Sequence, residues 1–252
     1  MATVLWRRVV AEFLGTALLV TVVVGSGVMA TSLSADVGLQ LLANSTATAL
    51  GLAVLILVFG PVSGAHFNPV VSVADWWLGR RCGHGISARH LAAYVPAQIA
   101  GAIGGAILAN LMFGLTAVSW SRHERSSGGL WLGEVVATAG LVLLIFALAR
   151  SERTSVAPAA VGAYIGAAYW FTSSTSFANP AVTLARVFTD TFAGIAPDSV
   201  PGFVVAQLGG LIVGVALLLV LYPHLGTAAA DIVVPHDTAR RGVRPRAVRA
   251  RS

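Results

Sequence analysis

Six stretches of the chain, at about 9–30, 39–60, 91–113, 130–149, 156–172 and 202–222, are apolar almost throughout. Roughly 20 apolar residues cross a ~30 Å hydrocarbon core as a helix. Each stretch therefore predicts a membrane span, the fifth being short. Two further apolar stretches are too short to cross and too apolar to be surface loops. One follows the second span and one the fifth. They open with Asn68-Pro69-Val70 and Asn179-Pro180-Ala181, 111 positions apart. Asn then Pro is a helix start: the Asn side chain caps free backbone N–H groups and Pro fits the first turn. Asn68 to Gly79 is 12 residues, about 18 Å of helix and roughly half the hydrocarbon core. Backbone that breaks at membrane depth must be buried in protein or line a water-filled cavity. A matched pair of broken segments points to a solute pathway at the midplane.

The halves match at more than this dipeptide. Span 1 contains Ala11-Glu12-Phe13-Leu14-Gly15-Thr16 and span 4 contains Gly133-Glu134-Val135-Val136-Ala137-Thr138. Gln98, Gly101 and Gly105 in span 3 recur as Gln207, Gly210 and Gly214 in span 6, at a constant offset of 109. Each half carries three spans, and an odd number inverts the second copy in the membrane. The two half-helices then enter from opposite faces and meet tip to tip. The predicted architecture is all-α: six transmembrane helices plus two re-entrant half-helices in an inverted repeat. One domain covers 1–225, with repeats at about 1–113 and 129–225, and an Arg-rich tail at 226–252 is read as disordered. The glycine pairs suit close helix packing. Glu12 and Glu134 are costly in lipid and must face the protein interior. With one acid per half, accepting hydrogen bonds from the loop backbone is favoured over a proton relay.

Charge sets the orientation. The chain is 56% hydrophobic and only 10% charged, with net charge +6, and all 16 basic residues are arginine. Thirteen fall on one side of the six-span topology: Arg7 and Arg8, the cluster at 80–89, Arg150 and Arg153, and the tail. Arg122 and Arg125 fall on the other side, and Arg186 lies in the second short segment. This bias puts both termini in the cytoplasm and argues against nucleic acid as the partner of the basic tail. A single cysteine, Cys82, allows no internal disulfide, and no metal-ligand spacing surrounds it. No cofactor, metal or catalytic constellation is expected.

The segment Ser63-Gly64-Ala65-His66-Phe67-Asn68-Pro69-Val70 resembles the first signature of the aquaporin, or major intrinsic protein, family. Phe177-Ala178-Asn179-Pro180-Ala181-Val182 resembles the second. The resemblance covers about residues 9–222. It implies a passive channel with one pore per subunit, in a homotetramer in the plasma membrane, serving small neutral solutes. Each Asn can cap its half-helix through oxygen and still offer amide N–H to a solute. Opposed helix N-termini would repel cations there.

The chain departs from the family where the constriction is expected. Val182 stands where family channels commonly carry Arg. Ungapped spacing places the other constriction positions at Thr48, Ala167 and Ser176. Small residues there imply an open filter without that Arg, wider than a strict water channel. Glycerol-like polyols and metalloid acids such as arsenous acid join water as expected solutes. The residues around the second motif also look like bacterial members associated with arsenic resistance. Arg186 lies seven positions after Asn179, as Asp75 does after Asn68. These two either line opposite mouths or reach the interface as snorkelling charges. His66 either holds the first loop or faces the pore. Two other classes compete: an inverted-repeat secondary transporter, which needs coupling-ion ligands, and a closed-pore structural membrane protein.

Overall fold

The computed structural model describes residues 4–82 and 85–223; the predicted tail at 226–252 lies outside them. Among the described residues, eight α-helices follow in order: α1 Leu5–Leu33, α2 Val37–Ser63, α3 Pro69–Cys82, α4 Ala88–Met112, α5 Gly128–Arg150, α6 Ala157–Phe171, α7 Pro180–Ala185 and α8 Val200–Leu221. Five are long and apolar enough to cross a membrane: α1, α2, α4, α5 and α8. The short fifth span is α6, 15 residues preceded by a 3-10 turn at Thr154–Val156. Three of the long helices start at side-chain caps. Asp36, Ser87 and Ser127 accept from the backbone N–H three residues on, at α2, α4 and α5.

Within each half, the first helix packs along the last: α1 on α4, and α5 on α8. The repeated glycines make this possible. A β-carbon at Gly101 would meet the carbonyl oxygen of Phe13, and one at Gly105 that of Ala17. In the second half, Gly210 meets Val135 O and Thr138, and Gly214 meets Ala139 O. Side chains are excluded at these four positions, so backbones touch. The halves join where α2 packs on α6 and where α3 meets α7. Leu, Val, Ile and Trp side chains on the outer faces of α1, α2, α5 and α8 stay exposed, as helices facing lipid require.

The half-helices are unequal. α3 has 14 residues, whereas α7 has six and continues as a 3-10 turn at Arg186–Phe188. The second half-helix is therefore shorter than its repeat mate even with the turn included. The outer connection also differs from a free loop. Ser119 N and Ser121 N donate to Phe188 O and Val187 O, and Ala196 N donates to His123 O.

Candidate functional site

Each non-helical loop is held by one buried carboxylate. Glu12 accepts from His66 N (3.0 Å), Phe67 N (2.7 Å), Ser63 Oγ (2.6 Å) and Gln98 Nε2 (2.8 Å). Glu134 accepts from Phe177 N (2.8 Å), Ala178 N (2.8 Å) and Gln207 Nε2 (2.6 Å). Both carboxylates are wholly buried, and these bonds replace the hydration they lose. The loops need such anchors because their backbone is strained. Ala65 and Phe67 have φ of 50°, and their repeat mates Ser176 and Ala178 have 51° and 47°. Left-handed conformations cost a residue with a β-carbon about 1–3 kcal/mol each unless the surroundings fix them. Here they turn consecutive N–H groups onto one carboxylate.

The amides Gln98 and Gln207 complete the pattern. Besides the glutamates they bond Ser72 Oγ (2.9 Å) and Thr183 Oγ1 (2.8 Å), one turn into each half-helix. The glutamines were visible in the sequence only as a repeat marker. A buried amide recurring at a fixed offset was the available signal for their role.

At the midplane the two loops exchange bonds. Asn68 Nδ2 donates to Ala178 O (2.7 Å) and Asn179 Nδ2 donates to Phe67 O (2.8 Å). The Asn68 Oδ1 accepts from Val70 N, and the Asn179 Oδ1 accepts from Ala181 N and Val182 N. Pro69 and Pro180 are the first residues of their helices. Each Asn thus caps its own helix and clasps the opposite loop. The amide's second hydrogen remains for the cavity that both residues line.

That cavity encloses about 690 Å³ of empty space, part of it continuous with solvent. Its apolar lining includes Leu52, Ile56, Leu141, Ile145 and Ile165. Its polar lining comes from His66, Asn68, Asn179, Thr48, Tyr169, Ser176 and Arg186. Thr48, Ser176 and Val182 lie together in the lining. Ala167 does not: it is exposed on the outer face of α6. Ile165 and Tyr169 line the cavity instead. Two residues turn a helix by about 200°, so a position between 165 and 169 must face away. Ungapped counting from the second motif failed because it assumed the path of the loop at 172–179. Tyr169, which that counting missed, bonds Thr48 through their hydroxyls at 3.3 Å. The four-residue spacing of Val161, Ile165 and Tyr169, on one helix face, was the signal. Val70 and Ala181 are buried behind the lining, at 1% and 0% exposure.

The two charges after the motifs do not reach the interface. Asp75 is buried, accepts from Ile86 N (3.0 Å) and sits 3.7 Å from His66 Nε2. Arg186 is buried and lines the cavity. Its Nε donates to Ala193 O, and its guanidinium carbon lies 3.4 Å from the centre of the Phe177 ring. His66 both faces the cavity and ties the loop, with Nδ1 3.0 Å from Ser72 Oγ and its ring edge-on to Tyr94.

The profile of the family described as Major intrinsic protein matches residues 1–178. The chain belongs to the major intrinsic protein family. It is 54% identical over 214 residues to the aquaglyceroporin AqpS of Rhizobium meliloti (strain 1021), covering 85% of this chain and 89% of that one. It is 30% identical to the glycerol uptake facilitator protein of Pseudomonas aeruginosa, over 88% of this chain and 85% of the relative. The X-ray structure of the aquaglyceroporin from Plasmodium falciparum superposes with a TM-score of 0.66, at 21% identity, over 87% of this chain and 96% of the other. That likeness fixes the family fold: the inverted repeat and paired half-helices above are the common architecture.

Proposed function

We propose that this member of the family is a passive membrane channel for water and small uncharged hydroxyl-bearing solutes, glycerol-like polyols first among them. One observation carries the reading: two crossed Asn clasps sit at the junction of opposed half-helices, beside a cavity lined by both apolar and polar side chains. A polyol offers both kinds of group, C–H groups and hydroxyls. The Asn amides and Tyr169 can exchange hydrogen bonds with those hydroxyls as they pass. A cation would exchange its hydration shell for helix N-termini and a guanidinium, which repel it. The relatives named aquaglyceroporin and glycerol uptake facilitator support the same solute class. Uncharged metalloid acids such as arsenous acid carry hydroxyls in a similar compass and belong in the same proposal. A homotetramer with both termini cytoplasmic is the expected assembly, on family resemblance and on the arginine bias.

Purified protein in liposomes decides the matter. Water, glycerol, urea and arsenous acid fluxes are measured against empty vesicles by stopped-flow light scattering. Glycerol flux well above the empty-vesicle rate is the expected result. Glycerol flux no faster than empty vesicles, with water flux retained, would reduce the protein to a water channel. Uptake that requires an ion gradient would replace the channel by a coupled transporter.

A further inference from the structure

The position directly after the second motif is Val182, so no guanidinium enters the pore from there. One turn further on, Arg186 shares the same helix face and reaches the same cavity. We propose that Arg186 is the residue that sets selectivity in this pore, as a fixed cationic donor for hydroxyl-bearing neutral solutes. This inference rests on the channel reading and deepens it.

Three observations carry it. The first is the seat. Arginine on a flexible stem is a poor filter, but Arg186 is clamped between the Phe177 ring and the Ala193 carbonyl. Among the described residues, Nε makes the guanidinium's only hydrogen bond, so the terminal nitrogens retain their donors for a solute. The carbonyl it holds belongs to a braced loop. Arg125 Nε donates to Gly194 O (2.9 Å), Ile195 N donates to Arg186 O (3.3 Å), and the Arg125 guanidinium lies 5.2 Å from the centre of the same Phe177 ring.

The second observation is a waiting partner. Ser176 also lines the cavity, is 97% buried as a residue, and its Oγ finds no hydrogen-bond partner among the described residues. Left unpaired, such a hydroxyl is costly. A solute hydroxyl held by Arg186 and Ser176 supplies the missing bond.

The third is asymmetry. Asp75 is the repeat mate of Arg186, and His66 is the mate of Phe177. Both pairs touch, but only Arg186 of the two charged residues is in the lining. Asp75 is spent on the backbone of Ile86. The inverted repeat therefore exposes one charge to the pathway, and that charge is positive.

The test uses full-length protein in liposomes and planar bilayers, with Arg186→Ala and Arg186→Lys beside the unaltered chain. Arg186→Ala is expected to shift the glycerol-to-water permeability ratio by about tenfold and to raise potassium conductance by about tenfold or more. Arg186→Lys keeps the point charge but not the planar fork. It is expected to stay tight to potassium while its glycerol-to-water ratio still shifts. A purely structural Arg186 would change melting temperature in both variants and leave ratio and conductance alone, which overturns the proposal. If Arg186→Ala fails to fold, Arg186→Lys decides: an unchanged ratio overturns it. Unaltered protein that passes neither water nor glycerol overturns the channel reading as well. Unaltered flux with an indifferent Arg186 overturns this inference alone.

Discussion

Gly15 lies so close to the Phe67 ring that a β-carbon at position 15 would overlap it. The repeat shows why. Position 67 corresponds to 178 and position 15 to 137, and the second half has Ala178 and Ala137 there, both buried. In the first half the Phe67 ring occupies the space that a side chain at position 15 would need. Gly15→Ala is expected to destabilise the protein by about 1–3 kcal/mol through overpacking. In a Phe67→Ala background the same change should cost nothing further. Thermal unfolding of the two single variants and the double variant in detergent measures the coupling, and strictly additive effects would refute the contact.

The carboxylate anchors should be indispensable to folding. Glu134→Ala strands three buried donors and Glu12→Ala strands four. A loss of about 3 kcal/mol or more is expected for either, with Glu12→Ala the worse. Folded yield and melting temperature in detergent report it. Variants that melt like the unaltered protein but change proton flux would return these acids to a relay role.

Asn179→Asp keeps the cap and destroys the clasp. The carboxylate can still accept from Ala181 N and Val182 N, but it faces the Phe67 carbonyl with no hydrogen to give. Lower stability and a new cation conductance are expected, because negative charge replaces a neutral donor at the midplane. A folded variant that still excludes potassium in planar bilayers would show that the clasp has no part in ion exclusion.

Val182→Arg puts a second guanidinium into a lining that already holds Arg186. Glycerol and arsenous-acid flux should fall far more than water flux, since the addition narrows the path for larger solutes. Stopped-flow measurements on vesicles of matched protein content read both. An unchanged glycerol-to-water ratio in folded protein would remove Val182 from the constriction.

Much of the fold was legible because membranes leave few choices. Spans are long and apolar, and the Asn-Pro pairs, Glu12 with Glu134, and the glycine offsets declare a repeat. The fates of Glu12, Glu134, Gly101 and Gly105 followed from burial alone. The lining was harder to read. Ala167 was placed by counting backwards through a loop whose left-handed residues Thr175, Ser176 and Ala178 no spacing rule encodes. Arg186 had two destinations in the sequence, a pore mouth or the interface; it lines the cavity, seated on Phe177. An aromatic face as a partner for a cation leaves no periodic trace in a sequence.

The crossed asparagine bonds also bear on how the molecule is made. Phe67 O and the Asn68 amide wait for partners about 110 residues later in the chain. At roughly 5–20 residues per second, that is on the order of 6–20 s of synthesis. For that interval the tip lacks its partner across the junction, while Glu12 and Gln98, both in the first half, hold the loop behind it. The clasp closes only when an upside-down sibling arrives. A fragment ending near residue 113 should leave that loop open to protease, and co-production of the remainder should protect it.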